Sequence, residues 1–147
     1  MLELVGVTKQ FKLGTNLVHA LNGIDFSLNP GDTVSLVGES GSGKSTLLSV
    51  ASLIDRPSTG QVKFQGIDVG KWDEVCRSRF RGEACGFIFQ KFHLIESFSV
   101  IENVMLPARI QNQSKSQIRK RAEELLDQVN LAVHMNSDVN CLSGGQR

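Results

Sequence analysis

The sequence predicts an α/β fold, rich in strands up to Gln90 and rich in helices beyond it. Three observations carry that expectation. The nine residues Gly38-Glu39-Ser40-Gly41-Ser42-Gly43-Lys44-Ser45-Thr46 match G-x-x-x-x-G-K-[ST], a phosphate-binding loop. A short apolar run, Asp32 to Val37, stands before the loop and reads as a buried strand, and Leu47 to Ile54 follows it as an apolar helix ending before Pro57. After Gln90 the apolar spacing changes from about two residues to about three and a half.

The residue types in the loop explain its chemistry. Glycines let successive backbone N–H groups turn inward and form an anion nest. A helix starting near Gly43 adds the positive end of its dipole. Lys44 supplies a point charge for the β- and γ-phosphates. Ser45 offers a hydroxyl to Mg²⁺, which takes hard oxygen ligands. A glycine-rich turn that merely carries a lysine lacks the flanking strand and helix. A dinucleotide loop would need glycine at 46, where Thr46 stands.

The other elements follow in order. Residues 2–7 read as a first strand, with Phe11 just beyond it and a turn over Leu13–Asn16. Leu17 to Leu28 alternates in part, placing Ile24, Phe26 and Leu28 on one face. Asn29-Pro30-Gly31-Asp32 is a turn. Arg56-Pro57-Ser58-Thr59-Gly60 breaks the loop helix, and Gln61–Phe64 is a short strand turned by Gln65-Gly66. Trp72 to Arg81 reads as a short helix, and Cys85–Phe89 as a buried strand closed by Gln90. Val100, Ile101, Val104 and Met105 have helical spacing within Ser99–Ile110, which Pro107 kinks or ends. Ser114 and Gln117 form a capping box, opening a helix with Ile118, Ala122, Leu125, Leu126 and Val129 on one face.

Composition narrows the function classes. The chain has 147 residues, 40% hydrophobic and 21% charged, with net charge +1. That suits a globular domain with a real core and disfavours a nucleic-acid surface. The basic run Arg119-Lys120-Arg121 is answered by Glu123, Glu124 and Asp127, as on a solvated helix face. No apolar run is long enough to cross a bilayer. The first residues carry no basic stretch leading into an apolar one, so no signal peptide is expected and the cytoplasm is the expected compartment. Cys76, Cys85 and Cys141 are scattered, and His19, His93 and His134 stand at no ligand-like spacing to them, so neither zinc nor a disulfide framework is expected.

The second motif is Leu142-Ser143-Gly144-Gly145-Gln146. Alone it reads as a tail or a helix N-cap. Like the first loop, it enters a helix with a serine and glycines whose N–H groups can face a phosphate. With the Walker A loop at Gly38–Ser45 and Gln90 closing an apolar run, the whole chain resembles the ATP-binding domain of ABC transporters. Val18–Leu21, Gly86–Leu94 and Glu102–Pro107 resemble the lipoprotein-release and macrolide-export branch, with the cell-division ABC ATPase a close cousin.

The resemblance implies a P-loop NTPase of ABC type: a β-rich and P-loop core over 1–90, then a helical subdomain over 91–147, with an incomplete core sheet. It implies that Phe11 stacks on adenine, that Gly38, Glu39, Ser40, Gly41, Ser42 and Gly43 wrap the phosphates of ATP, and that Thr46 reaches the α-phosphate. Lys44 and Gln90 would be catalytic, and Ser45 and Gln90 would hold Mg²⁺. Ser143, Gly144, Gly145 and Gln146 would close over ATP held by a second copy in a head-to-tail dimer. The surface around Gln90 would receive a cytoplasmic helix of a transmembrane permease, placing the protein on the inner face of the cell membrane. Lipoprotein, macrolide or peptide export is the implied work.

The family also carries a Walker B aspartate, a catalytic glutamate and a switch histidine after the second motif. Asp25, Asp32 and Asp68 lie in turns or in the early strand region and do not match. The expectation is therefore a piece truncated after residue 147, whose full-length parent hydrolyses ATP while the piece binds nucleotide weakly and turns it over poorly or not at all. The alternatives are a non-catalytic nucleotide-binding fragment and a soluble ABC protein outside transport.

Overall fold

Alternating apolar residues and a glycine turn make the first element a long hairpin. Strand β1 (Leu2–Leu13) pairs antiparallel with β2 (Asn16–Leu28), turning through Gly14 and Thr15. Strand β3 (Thr59–Phe64) pairs antiparallel on the other side of β1, and β4 (Ile67–Asp68) pairs with β3. The computed structural model describes residues 1–110 and 114–147, and among these the strand order is β2-β1-β3-β4. The chain divides into two units, Met1–Gly86 and Phe87–Arg147.

In the first unit the sheet packs on helix α1 (Lys44–Ala51) and helix α2 (Glu74–Ala84). Leu4, Val7, Leu21, Val50, Leu53, Val62 and Val69 form its core. Phe80 meets Phe64 and Trp72 edge-on, with centroids 4.9 and 5.8 Å away. Helix α2 begins at Asp73, whose carboxylate accepts the Cys76 N–H at 2.8 Å. It starts and ends a little later than the spacing over 72–81 predicts.

Helix α1 stops at Ala51, earlier than the apolar run to Ile54 predicts. Leu53 turns to φ 59° and is fully buried. Its carbonyl accepts from the guanidinium groups of Arg77 (2.6 Å) and Arg81 (2.7 Å), and Glu74 bridges the two arginines at 2.7 and 2.8 Å. Two cations thus meet the negative end of α1, where carbonyls lack helical partners. Arg77 is 3% exposed.

Two expectations fail. Asp32–Val37 and Cys85–Phe89 run without strand pairing. Val37 is 88% exposed and Ile88 fully exposed. An apolar run expresses a demand for burial, but a strand also needs a neighbour to take its backbone hydrogen bonds. No such neighbour lies beside either segment among the described residues.

In the second unit, helix α3 (Val100–Met105) opens with a capping box between Ser99 and Glu102 and gives way at Pro107 to a 3₁₀ turn, Pro107–Ile110. Helix α4 (Lys115–Gln128) opens with the expected box between Ser114 and Gln117. Its Ile118, Ala122 and Leu126 pack with Val100, Ile101, Met105, Val139 and Leu142. Leu125 and Val129, expected on the same face, stay partly or largely exposed. The Asn103 side-chain amide donates to the carbonyls of Ile95, Phe98 and Ser99 and its oxygen accepts the Ile95 N–H, pinning the loop before α3.

Replacing Arg77 by alanine removes a charged donor from a buried carbonyl and is expected to cost about 2 kcal/mol in urea unfolding. Ser99→Ala, which deletes one cap, is expected to cost about 1 kcal/mol.

Candidate functional site

The glycine loop runs from Gly38 to Gly43 and feeds α1, whose first residue is Lys44. Gly43 is the N-cap, at φ 90° and ψ 3°, a conformation that strains any residue with a β-carbon. A β-carbon there would also overlap the carbonyl oxygen of Ala20. The strand pairing explains why that carbonyl is in the way. Lys9 faces Leu21 and Gln10 faces His19, so Ala20 is an extra residue on β2, a β-bulge. The bulge seats the loop against the hairpin.

Lys44 folds back over the loop it follows. Its ammonium donates to the carbonyls of Gly38 (2.9 Å) and Glu39 (2.7 Å) and to the Ser42 hydroxyl (3.2 Å). The Ser42 N–H donates to the Glu39 carbonyl at 3.2 Å, closing the turn through Ser40 and Gly41. Residues 44, 45 and 46 form the first turn of α1, so their N–H groups lack helical acceptors, and the Leu47 N–H makes the first such bond, to Gly43. The Lys44 charge and the free N–H groups at the start of α1 thus stand together beside the glycine loop. The arrangement fits a polyphosphate: the loop is exposed, and Gly43 lies too close to Ala20 for any side chain.

Phe11 lies on β1, half-exposed, opposite Val18 in the same hairpin. Its ring is faced by the Lys9 ammonium at 4.9 Å from the centroid. That ammonium donates to Asp55 Oδ1 at 2.7 Å and to the Arg56 carbonyl at 2.8 Å. Burial pushes the Asp55 carboxyl up, but the hydrogen bonds from Lys9 and Arg56 and the charges of Lys9 and Arg77 outweigh it and hold the group below its ordinary value. Sequence reading missed Lys9, Ala20 and Asp55. The register mismatch that makes the bulge, and a contact spanning 46 residues, leave no local pattern.

The other candidates lie in the second unit. Gln90 is exposed in a bend after the stacked rings of Phe87 and Phe89. Ser143, Gly144, Gly145 and Gln146 form an exposed turn anchored by buried Leu142. The Ser143 N–H donates to the Gln146 side-chain oxygen at 2.9 Å, and the Ser143 carbonyl accepts from the N–H groups of Gln146 (3.0 Å) and Arg147 (3.1 Å). This is one helical turn with half a capping box.

Comparison with known proteins finds relatives of the whole chain. A family model described as ABC transporter matches residues 21–147. The lipoprotein-releasing system ATP-binding protein LolD 1 of Rhodopseudomonas palustris is 40% identical over 149 residues, covering all of this chain and 66% of the relative. The macrolide export ATP-binding/permease protein MacB of Azoarcus sp. is 40% identical over 147 residues, which are 22% of its length. A solved dimeric structure of the ATP-binding cassette MJ0796, in a post-hydrolysis state bound to ADP and Pi, superposes with TM-score 0.89 at 37% identity, covering 99% of this chain and 65% of that one. The chain thus spans about two thirds of the length of the lipoprotein-releasing relatives.

Gly43→Ala is expected to weaken Mg-ATP binding more than about tenfold in calorimetric titration, because the loop must leave its seat on Ala20. The Asp55 carboxyl has a folded pKa below its unfolded value of about 3.9. The stability it contributes is therefore complete above that pH and is lost as pH falls through the folded value. The stability gap between the protein and Asp55→Asn is expected to stay constant from neutrality to about pH 4 and to shrink below it in urea titrations.

Proposed function

The chain belongs to the ABC transporter family, and from that premise we propose that it is the Mg-ATP-binding part of an export ATPase. The observation that carries the reading is the Lys44 ammonium, held inside the glycine loop at the start of α1 by two carbonyls and a hydroxyl. ATP supplies the γ-phosphoryl group whose transfer to water releases the free energy. This chain's residues supply the hold. The amides of Gly41 to Thr46 and the Lys44 charge bind the phosphates, the Ser45 hydroxyl would hold Mg²⁺, and Phe11 stacks on the base. Glu39 and Ser40 bring the loop round.

The turn over Ser143–Gln146 makes a second phosphate-facing element, which we assign to ATP held by another copy in a head-to-tail dimer. Each copy then donates this turn and receives its partner's. The aromatic surface beside Gln90, where Phe89 is 50% and Phe92 47% exposed, is the proposed seat for a cytoplasmic helix of the permease. No helix among the described residues is long and apolar enough to cross a membrane, so attachment to the inner face through a permease is part of the proposal. Likeness to lipoprotein-releasing and macrolide-export proteins supports export of lipoprotein or macrolide, and peptide export is carried in the same proposal. Hydrolysis is assigned to the full-length protein.

The test is calorimetric titration with Mg-ATP of the protein and of Lys44→Ala. Loss of more than about tenfold in affinity on removing the ammonium is expected, since each charge-assisted phosphate bond is stronger than a neutral one. Equal binding by both proteins would contradict the assignment.

A further inference from the structure

We propose that Lys9 is a positioning residue for the base-stacking face of Phe11, resting on the reading of Phe11 as the adenine platform. A lysine on a strand that borders solvent ordinarily extends its ammonium into water. Lys9 does the reverse, and its side chain is only 12% exposed. Its ammonium is fixed by the Asp55 carboxylate at 2.7 Å and the Arg56 carbonyl at 2.8 Å. What remains of its charge faces the Phe11 ring, 4.9 Å from the centroid, within the range of a cation–π contact.

Two consequences follow. In this proposal the ring is held on the side where Lys9 stands and the planar base stacks on its opposite face. The anchor of the lysine is also tied to α1: the Asp55 N–H donates to the Ser49 carbonyl at 3.0 Å, in the last turn of that helix. Helix α1 carries the phosphate loop at its start and, through Asp55 and Lys9, braces the aromatic ring from its end. One rigid element about 12 Å long thereby sets the phosphate end and the base end of the site relative to each other.

The readout is base-dependent affinity: the ratio of Mg-ATP to Mg-tripolyphosphate binding, both measured by calorimetry on the protein. Phe11→Ala is expected to lower that ratio about tenfold by removing the stacking surface. Lys9→Met is expected to lower it about threefold with tripolyphosphate binding unchanged, and Lys9→Arg, which keeps the cation, to restore it. Asp55→Asn, which loosens the anchor while leaving Lys9 in place, is expected to reproduce part of the loss and serves if Lys9→Met does not fold. A ratio unchanged in Lys9→Met or Asp55→Asn while Phe11→Ala lowers it would overturn the role of Lys9 alone. Equal weakening of both ligands in Lys9→Met would also overturn it, by showing a general structural defect. A ratio unchanged in Phe11→Ala would remove the platform reading and this inference together.

Discussion

Gly43 touches the Ala20 carbonyl closely enough that no side chain fits between them, and the geometry of the phosphate loop hangs on that contact. The carbonyl is where it is because β2 carries one residue more than β1 between the pairs Gln10–His19 and Lys9–Leu21. The loop therefore docks on a deformed hairpin, and the start of α1 is fixed before any ligand arrives. With the helix start in place, Lys44 closes the loop from inside. Electrostatic preorganisation of this kind favours anion binding because little rearrangement remains to be done on binding.

The far end of α1 is held as firmly as its start. Arg77 and Arg81 converge on the Leu53 carbonyl, and Lys9 reaches Asp55 two residues later. Buried charges of this kind are costly unless partnered, and here each cation finds an acceptor at the negative end of a helix. The hydrophobic core under the sheet supplies the bulk of the stability, while these polar ties set where α1 lies.

Much of this was legible in the sequence. Local signals were faithful: the second hairpin strand, the Ser114–Gln117 capping box and the Pro107 break stand as their residue types require, while the first strand runs on from residue 7 to Leu13 and takes in Phe11. Features that depend on a distant partner were not. Asp32–Val37 and Cys85–Phe89 read as buried strands because their composition is that of buried strands, yet a strand is defined by its neighbours, and these have none among the described residues. Nothing local marks Lys9 and Arg77, because their acceptors stand 46 and 24 residues away. The two loops themselves were visible, since their glycines stand at set spacings that a reading of the sequence can match.

The most direct test of the account is amide hydrogen exchange of the protein with and without Mg-ATP. If the loop seated on Ala20 is the nucleotide site, exchange slows at Gly41 to Thr46 on addition of Mg-ATP. Unchanged exchange across that stretch at saturating Mg-ATP, with protection elsewhere, would contradict it.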